Sequence, residues 1–190
     1  MPARSIPGPA HEKLIAVCPL GWTADDDVGL LLDALAGLPE TGCAIEIHLT
    51  GDGPLRAQWM ERIRSFDRPG VEIRTGYLPE GDFRGLLRRA DVGVSVHRST
   101  SGLDLAMKVV DLFAACVPVC ALDYGPAIRE QIDDGITGFL FDTSSQLSTL
   151  LARLLADPGI LVKMRRSIES RWSETWSEAW QIHAADLFTP

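Results

Sequence analysis

Apolar runs of strand length alternate with stretches of helical period through most of this 190-residue chain. The apolar runs predict strands at residues 14–18, 44–50, 71–74, 92–96, 117–121 and 138–141. The stretches between them predict helices at residues 27–37, 55–66, 82–89, 104–115 and 126–133. This order is typical of α/β domains, in which helices cover both faces of a parallel sheet. We therefore expect a Rossmann-like parallel sheet of about six strands.

The pattern becomes purely helical after residue 143, with predicted helices at residues 145–156, 160–169 and 173–187. The C-terminal part from about residue 145 is therefore expected to add helices to the domain. Residues 1–12 contain three prolines and no apolar segment of a secretory signal, which favours a tail or linker. Residues 13–190 are expected to form one domain, because a chain of this length supports a single core.

Composition argues against several classes of protein. The net charge of −8 disfavours nucleic-acid binding, which needs clustered Lys and Arg. No apolar run approaches the roughly 20 residues that a membrane-spanning helix needs. The cysteines lack the spacing of a zinc site and lie in apolar surroundings, which indicates reduced core residues of a cytoplasmic protein. They are Cys18, Cys43, Cys116 and Cys120.

Ligands of open parallel sheets bind beyond the carboxyl ends of the strands. The most informative loop at such an end begins with His97 and continues through Ser99, Thr100, Ser101 and Gly102. These last four residues are small, so a ligand can approach their backbone closely. The helix predicted to follow would offer unpaired N–H groups and the positive end of its dipole to an anion.

Three side chains of that predicted helix are candidate binding groups. Asp104, Lys108 and Asp111 would share roughly one helix face. Lys108 would add a positive charge to a bound diphosphate, and Asp111 would accept hydrogen bonds from ribose hydroxyls. The alternative is an ordinary helix that is capped by Ser101 and carries Asp104 and Lys108 as an exposed ion pair.

Other segments carry weaker signals. Gly51 and Gly53 allow close backbone approach after the second strand, but they lack the third glycine of a dinucleotide fingerprint, so no nicotinamide cofactor is expected. The acidic run at residues 25–27 is interpreted as a helix start rather than a metal site. A tryptophan recurs every four residues near the C-terminus, which indicates a helix face that packs on this domain or on a partner domain. These residues are Trp172, Trp176 and Trp180.

The segment SGLDLAMKVVDLF at residues 101–113, followed by CVPVCA at residues 116–121, resembles a family of β-1,4-mannosyltransferases. The enzymes of that family add the first mannose to chitobiose linked to dolichol diphosphate. Further similarity lies at residues 22–27, 50–55, 90–97 and 171–172, so the resemblance extends from about residue 14 to residue 180. The family has two Rossmann-like domains that face a cleft, and this chain resembles only the C-terminal one, which binds GDP-mannose.

The resemblance implies the transfer of mannose from GDP-mannose to a lipid-linked or other glycan acceptor, with inversion. Residues 99–102 and Lys108 would contact the donor diphosphate, Asp111 the ribose, and residues 76–78 would border the base. Asp111 corresponds to the second Glu of the E-x7-E motif of related enzymes, whereas Leu103 replaces the first Glu and Ala106 replaces a proline. The implied donor-binding set is Gly51, Gly53, His97, Ser99, Thr100, Ser101, Gly102, Leu103, Lys108 and Asp111.

The family's N-terminal domain contributes most of the acceptor site, so we expect such a domain to act in cis or in trans. The sequence offers no catalytic base, and the resemblance assigns that group to the N-terminal domain. No metal or other cofactor is expected, because helix-end amides and Lys108 would stabilise the leaving diphosphate. We expect a cytoplasmic location, with membrane association only through the partner domain. The alternative function is a non-catalytic nucleotide-sugar-binding or assembly module that acts through a partner.

Overall fold

The computed structural model of the chain describes residues 13–40, 44–171 and 176–188. Its strands are β1 (Leu14–Pro19), β2 (Ile45–Thr50), β3 (Val71–Gly76), β4 (Val92–Ser95), β5 (Val119–Leu122) and β6 (Gly138–Phe141). All neighbouring strands pair in parallel, in the order β3-β2-β1-β4-β5-β6. The predicted six-stranded parallel sheet is therefore confirmed.

Helices cover both faces of this sheet. One face carries α1 (Val28–Ala36), α2 (Arg56–Arg64) and α6 (Ser144–Ala156), and the other carries α3 (Glu80–Arg89), α4 (Met107–Ala114) and α5 (Pro126–Gln131). The chain continues with α7 (Gly159–Arg171), α8 (Trp176–His183) and α9 (Ala185–Phe188). Helix α7 contributes buried side chains to the apolar clusters on both faces. None of the helices in the described part is long and apolar enough to span a membrane.

The central strands are apolar on both sides because helices cover both sides. Along β1, Ala16 and Cys18 point into the cluster under α1 and α6, whereas Val17 points into the cluster under α4. Strand β2 differs, since its Glu46 and His48 are buried on one face and form a 2.7 Å contact with each other. Lys13 adds an ion pair to Glu46. Paired charges thus take the place of apolar packing on that side of β2.

The structure corrects the predicted bounds of two helices. The helix predicted at residues 173–187 is two helices, α8 and α9, and the Trp180 ring stacks on Phe188 with 5.2 Å between ring centroids. Trp172 and the side chain of Trp176 lie outside the described residues, so the packing of a tryptophan face stays a prediction. Helix α5 ends at Gln131 rather than at residue 133, because the next residue adopts an extended backbone.

The cysteine prediction holds in part. Cys18 and Cys120 are buried and free of disulfides, as expected for reduced core residues. Cys116 is free but only partly buried, because it forms the turn after α4 with a positive φ of 56°. Cys43 lies outside the described residues.

The packing of α4 on β4 requires a glycine. A Cβ atom on Gly93 would lie 2.5 Å from a methyl carbon of Leu112, a core side chain on α4 that is fully buried. A larger residue at this position would therefore have to displace the buried Leu112 side chain.

We expect Gly93→Ala to destabilise the domain by about 1–3 kcal/mol, because the added methyl group overpacks this contact. Urea unfolding followed by circular dichroism measures the change. Gly85→Ala is the matched control, since its Cβ would have no neighbour closer than 3.8 Å and alanine favours helix α3. A Gly93 variant as stable as the native chain would contradict the close packing of α4 on β4.

Candidate functional site

The strand order reverses between β1 and β4, which creates a crevice at their carboxyl ends. Residues 20–27, the β1 loop, and residues 96–106, the β4 loop, border this crevice. Their backbones are joined by hydrogen bonds from Asp27 N–H to the Val96 carbonyl (3.0 Å) and from Arg98 N–H to the Asp25 carbonyl (2.7 Å). The two loops therefore form one surface at the position where open α/β sheets bind their ligands.

A buried ion pair crosses this surface. The side chain of Asp26 in the β1 loop is 1% exposed, and it accepts hydrogen bonds from the Gly21 N–H (2.7 Å) and the Lys108 ammonium (2.5 Å). A carboxylate buried to this extent is stable only with such partners. The Lys108 side chain is 28% exposed, so its ammonium is held against the β1 loop without being enclosed.

The structure corrects the start of the helix that carries Lys108. Helix α4 begins at Met107, three residues later than predicted. Gly102 adopts a positive φ of 70°, and its N–H donates to the Ser99 hydroxyl at 2.7 Å. The Leu103 N–H donates to the Ser101 hydroxyl at 3.2 Å. Side-chain hydrogen bonds of this kind compete with helix formation and keep the segment in a turn.

Three predictions about this segment are therefore wrong. Asp104 lies before α4 and does not share a helix face with Lys108 and Asp111. The pair between Asp104 and Lys108 that belonged to the alternative interpretation does not form, because Lys108 pairs with Asp26. The alternative cap is also wrong, since the residue before α4 is Ala106 and the Ser101 hydroxyl binds within the β4 loop.

Asp104 instead organises the β4 loop. Its carboxylate accepts hydrogen bonds from the hydroxyl of Ser99, from that of Ser101 (3.3 Å) and from the imidazole Nε2 of His97 (2.8 Å). The bond from Ser99 and then that from His97 lower the pKa of Asp104 to about 2. An ionised carboxylate only accepts hydrogen bonds, so Nε2 of His97 carries the hydrogen. The Tyr124 hydroxyl donates to the Asp104 carbonyl at 2.9 Å.

Helix α4 begins with free donors. No side chain caps it, and within the described ranges the backbone N–H groups of Met107 and Lys108 have no acceptor. The preceding Ala106 N–H donates to the buried side chain of Gln131 at 2.8 Å, a bond that proline at this position would not make. The free N–H groups and the positive end of the helix dipole together favour an anion next to the Lys108 ammonium.

Asp111 lies one helical turn beyond Lys108 and points to different surroundings. It lines a groove of about 460 Å³ between α3 and α4. The other lining residues are Glu80, Phe83, Arg84, Leu87, Arg88, Ala114 and Ala115. Side chains three positions apart on a helix are neighbours, so a ligand that reached both Lys108 and Asp111 would cross a single turn of α4. Asp111 thus lines the groove between α3 and α4, and Lys108 pairs with the β1 loop, although the two residues are one helical turn apart.

Gly51 and Gly53 permit a close backbone approach, as predicted, but their neighbour is the β1 loop. Gly51 has a positive φ of 108°, and a Cβ there would overlap the Leu20 carbonyl oxygen. A Cβ on Gly53 would overlap the Gly21 carbonyl oxygen. Both glycines therefore support the β1 loop, and their contact with a donor stays a prediction.

Exposed apolar side chains stand beside the crevice. Leu103 is 78% exposed, and Leu105 and Met107 follow it on the way into α4. Tyr77, directly after β3, is also exposed. Thr100 is exposed on the same loop as Leu103 and forms no hydrogen bond within the described part of the chain. The sequence predicted Leu103 and Thr100 as binding residues, and both are accessible to a ligand.

Two side chains of the acidic run at residues 25–27 have different partners: Asp27 caps α1, and Asp26 pairs with Lys108. Asp27 caps α1 by accepting the Leu30 N–H at 2.9 Å, which confirms the predicted helix start. Among the residues that the structure describes, no group of three acidic, His or Cys side chains is placed to hold a metal ion. Sequence reasoning missed Asp26, the residue that pairs with Lys108. No local signal distinguished Asp26 from its acidic neighbours, because its pairing depends on the strand order, which brings residues 26 and 108 together.

Comparison with known proteins identifies relatives. Residues 11–157 match the sequence profile described as Glycosyl transferases group 1. The chain is 37% identical over 180 residues to the chitobiosyldiphosphodolichol beta-mannosyltransferase of Arthroderma benhamiae, covering 85% of this chain and 40% of that protein. The human protein of the same name is 34% identical over 184 residues, covering 90% and 39%. The UDP-glycosyltransferase TURAN of Arabidopsis thaliana is 34% identical over 203 residues, covering 94% and 43%.

Solved structures share the fold at lower identity. Anabaena Alr3699/HepE, crystallised with UDP, has a TM-score of 0.70 at 18% identity and is matched over 90% of this chain and 48% of that one. TarM has a TM-score of 0.73 at 15% identity, with 96% and 37% covered. The chain spans about two fifths of the length of the curated relatives it matches.

We expect Lys108→Met to destabilise the chain by about 3–5 kcal/mol, because it leaves the Asp26 carboxylate buried without a cation. Adding Asp26→Asn should recover part of this loss, since the unpaired charge is then removed. Thermal and urea unfolding of the two variants test this. Arg98→Met is the control, because Arg98 forms an exposed pair with Asp27 that is worth less than about 1 kcal/mol. Equal losses for Lys108→Met and Arg98→Met would contradict a buried pair.

We expect Ser99→Ala to raise the pKa of Asp104 from about 2 toward its ordinary value, because the Ser99 hydrogen bond is the largest cause of the shift. A lowered pKa in the folded state stabilises the protein above the ordinary pKa, and this stabilisation is lost as the pH falls toward 2. Carbon NMR titration of the carboxyl group measures the change. Thr100→Ala should leave the titration of Asp104 unchanged. An unshifted Asp104 in the native chain would contradict the hydrogen-bond network of the β4 loop.

Proposed function

The chain belongs to the group 1 glycosyl transferases, and we propose that it forms the donor-binding half of an enzyme that transfers mannose from GDP-mannose. The acceptor is a lipid-linked or other glycan, and the transfer inverts the anomeric configuration. The single observation that carries this proposal is the cationic start of α4. There the Lys108 ammonium and the unpaired N–H groups of Met107 and Lys108 adjoin the crevice where the strand order reverses.

The donor diphosphate lies against the start of α4 in this proposal. Backbone N–H groups at a helix start and a lysine ammonium bind phosphate oxygens well, even in a chain with a net charge of −8. The ribose lies one turn along the helix, where the Asp111 carboxylate accepts hydrogen bonds from its hydroxyls. The β4 loop, from His97 through residues 99–103, covers the diphosphate and the sugar. Residues 76–78 border the base.

The reaction proceeds by displacement at the anomeric carbon. An acceptor hydroxyl oxygen forms the new bond to that carbon from the face opposite the diphosphate, and the bond to the diphosphate oxygen breaks. GDP leaves with the bonding electron pair, and the α4 amides and Lys108 stabilise the added negative charge. The acceptor proton passes to a general base. We assign that base to an acceptor-binding domain, supplied in cis or in trans, which also accounts for any association with a membrane.

The names of the relatives support the choice of sugar and acceptor. Chitobiosyldiphosphodolichol beta-mannosyltransferases of several organisms share about one third of their residues with this chain over the matched region. One relative of similar identity bears the name of a UDP-glycosyltransferase, so the base of the nucleotide needs a direct test. The relatives' names favour a transferase over a non-catalytic binding module.

We expect the chain to bind GDP with a dissociation constant below about 1 mM. UDP and GMP should each bind about tenfold more weakly, since UDP lacks the purine and GMP lacks the second phosphate. Isothermal titration calorimetry measures all three. Absence of binding at millimolar GDP and millimolar UDP would overturn the proposed donor site, and tighter binding of UDP would overturn the assignment of the base.

The same titrations test the ribose contact. Asp111→Asn should weaken GDP binding about tenfold, because an amide accepts fewer hydrogen bonds than a carboxylate. The binding of 2′,3′-dideoxy-GDP should be equally weak for the native chain and the variant, since the hydroxyls that Asp111 would bind are missing. Asp82→Asn, a control on α3, should leave both affinities unchanged. A loss that is the same for GDP and its dideoxy form would remove Asp111 from the ribose.

A further inference from the structure

We propose that Asp26 is a positioning residue of the donor site. Through its ion pair it holds the Lys108 ammonium where a nucleoside diphosphate binds, and it does not contact the ligand itself. This inference rests on the proposed function and extends it to a residue on another loop, 82 positions away in the sequence. Asp26 is the one buried member of the acidic run at residues 25–27.

Both carboxylate oxygens of Asp26 are already in use. One accepts the Gly21 N–H at 2.7 Å, and the other accepts the Lys108 ammonium at 2.5 Å. Since the side chain is 1% exposed, no ligand can reach it without opening the β1 loop. Asp26 therefore acts on a ligand only through Lys108.

Lys108 retains the capacity to bind a ligand while it is paired. An ammonium has three N–H donors, and Asp26 engages one of them. The side chain keeps 28% exposure, so the pair with Asp26 does not bury it completely. A free lysine loses rotamer freedom when it binds an anion, whereas the ion pair has restricted this side chain before the ligand arrives.

Electrostatic repulsion alone predicts the opposite effect, namely that Asp26 weakens the binding of a diphosphate. A carboxylate close to the site repels a diphosphate, so its removal alone would tighten binding. Displacement of Lys108 from Asp26 by the ligand would leave a buried carboxylate without a cation, which is unfavourable. The geometry therefore favours a pair that stays formed. The two effects separate experimentally, because positioning requires Lys108 and repulsion does not.

The test is a double-mutant cycle on the whole chain with GDP as the probe. Asp26→Asn should weaken GDP binding about tenfold when Lys108 is present, the loss expected for one charge-assisted contact. In the Lys108→Met background the same substitution should cause no loss of GDP affinity. The affinity should rise slightly there, because the repulsion between Asp26 and the diphosphate is removed. An Asp26→Asn effect of the same factor in both backgrounds would overturn the inference.

A smaller comparison suffices if Lys108→Met alone does not fold. In the Asp26→Asn background, Lys108→Met should change GDP affinity less than about threefold, because an unpositioned lysine contributes little. A tenfold loss there would show that Lys108 acts without Asp26 and would overturn the inference. Asp27→Asn is the matched control, since it removes the same charge from the neighbouring residue and asparagine still caps α1. It should leave GDP affinity within about twofold.

Nitrogen-15 NMR of the lysine ammonium groups supplies a signature that a merely structural role would not produce. The chain has three lysines, Lys13, Lys108 and Lys163, so the spectrum is simple to assign. GDP should shift the Lys108 ammonium signal in the native chain, and the shift should be absent in Asp26→Asn. The Lys13 ammonium, which pairs with Glu46, serves as the internal reference. A GDP-induced Lys108 shift that survives Asp26→Asn would overturn the inference.

The outcomes separate the two proposals. A native chain that binds neither GDP nor UDP overturns the donor site and, with it, the role of Asp26. A native chain that binds GDP, with equal effects of Asp26→Asn in both Lys108 backgrounds, overturns only the role of Asp26.

Discussion

The buried ion pair between Asp26 and Lys108 is the interaction on which the crevice depends. It joins the loop after β1 to the first turn of α4, at the point where the strand order reverses. A carboxylate that is almost fully buried must keep its cation, so the pair constrains the position of α4 relative to the β1 loop. The glycines at positions 51 and 53 reinforce this arrangement, because they let the β2 turn press against the same loop.

The start of α4 lacks the stabilisation that a capping side chain would give. A Ser or Asp cap would satisfy the first N–H groups of the helix and contribute roughly 1 kcal/mol. Here Ser101, the cap of the alternative interpretation, binds Asp104 and the Leu103 N–H within the β4 loop instead. In the part of the chain that the structure describes, the N–H groups of Met107 and Lys108 therefore have no acceptor.

Family membership and site geometry answer different questions. The fold is shared with proteins that are less than 20% identical to this chain, and a shared fold alone does not define a substrate. Lys108, the first N–H groups of α4 and Asp111 are the groups on which the proposed nucleoside-diphosphate site rests. The chain covers about two fifths of the length of its curated relatives, so the acceptor side of the reaction stays a proposal.

Local signals in the chain were enough to predict the fold class, the strand positions to within a few residues and the start of α1 at the acidic run. Strands that are buried on both faces consist of consecutive apolar residues, and residues at a helix start act within one helical turn. Neither feature depends on distant parts of the chain. The start of α4 and the bond between His97 and Asp104 depend on hydrogen bonds within the β4 loop that helical spacing does not reveal, whereas a contact between distant segments sets the partner of Lys108. The alternative interpretation of the local spacing paired Asp104 with Lys108. The sheet order brought Asp26 to Lys108 from 82 residues away, and a buried carboxylate competes for a cation more strongly than an exposed one.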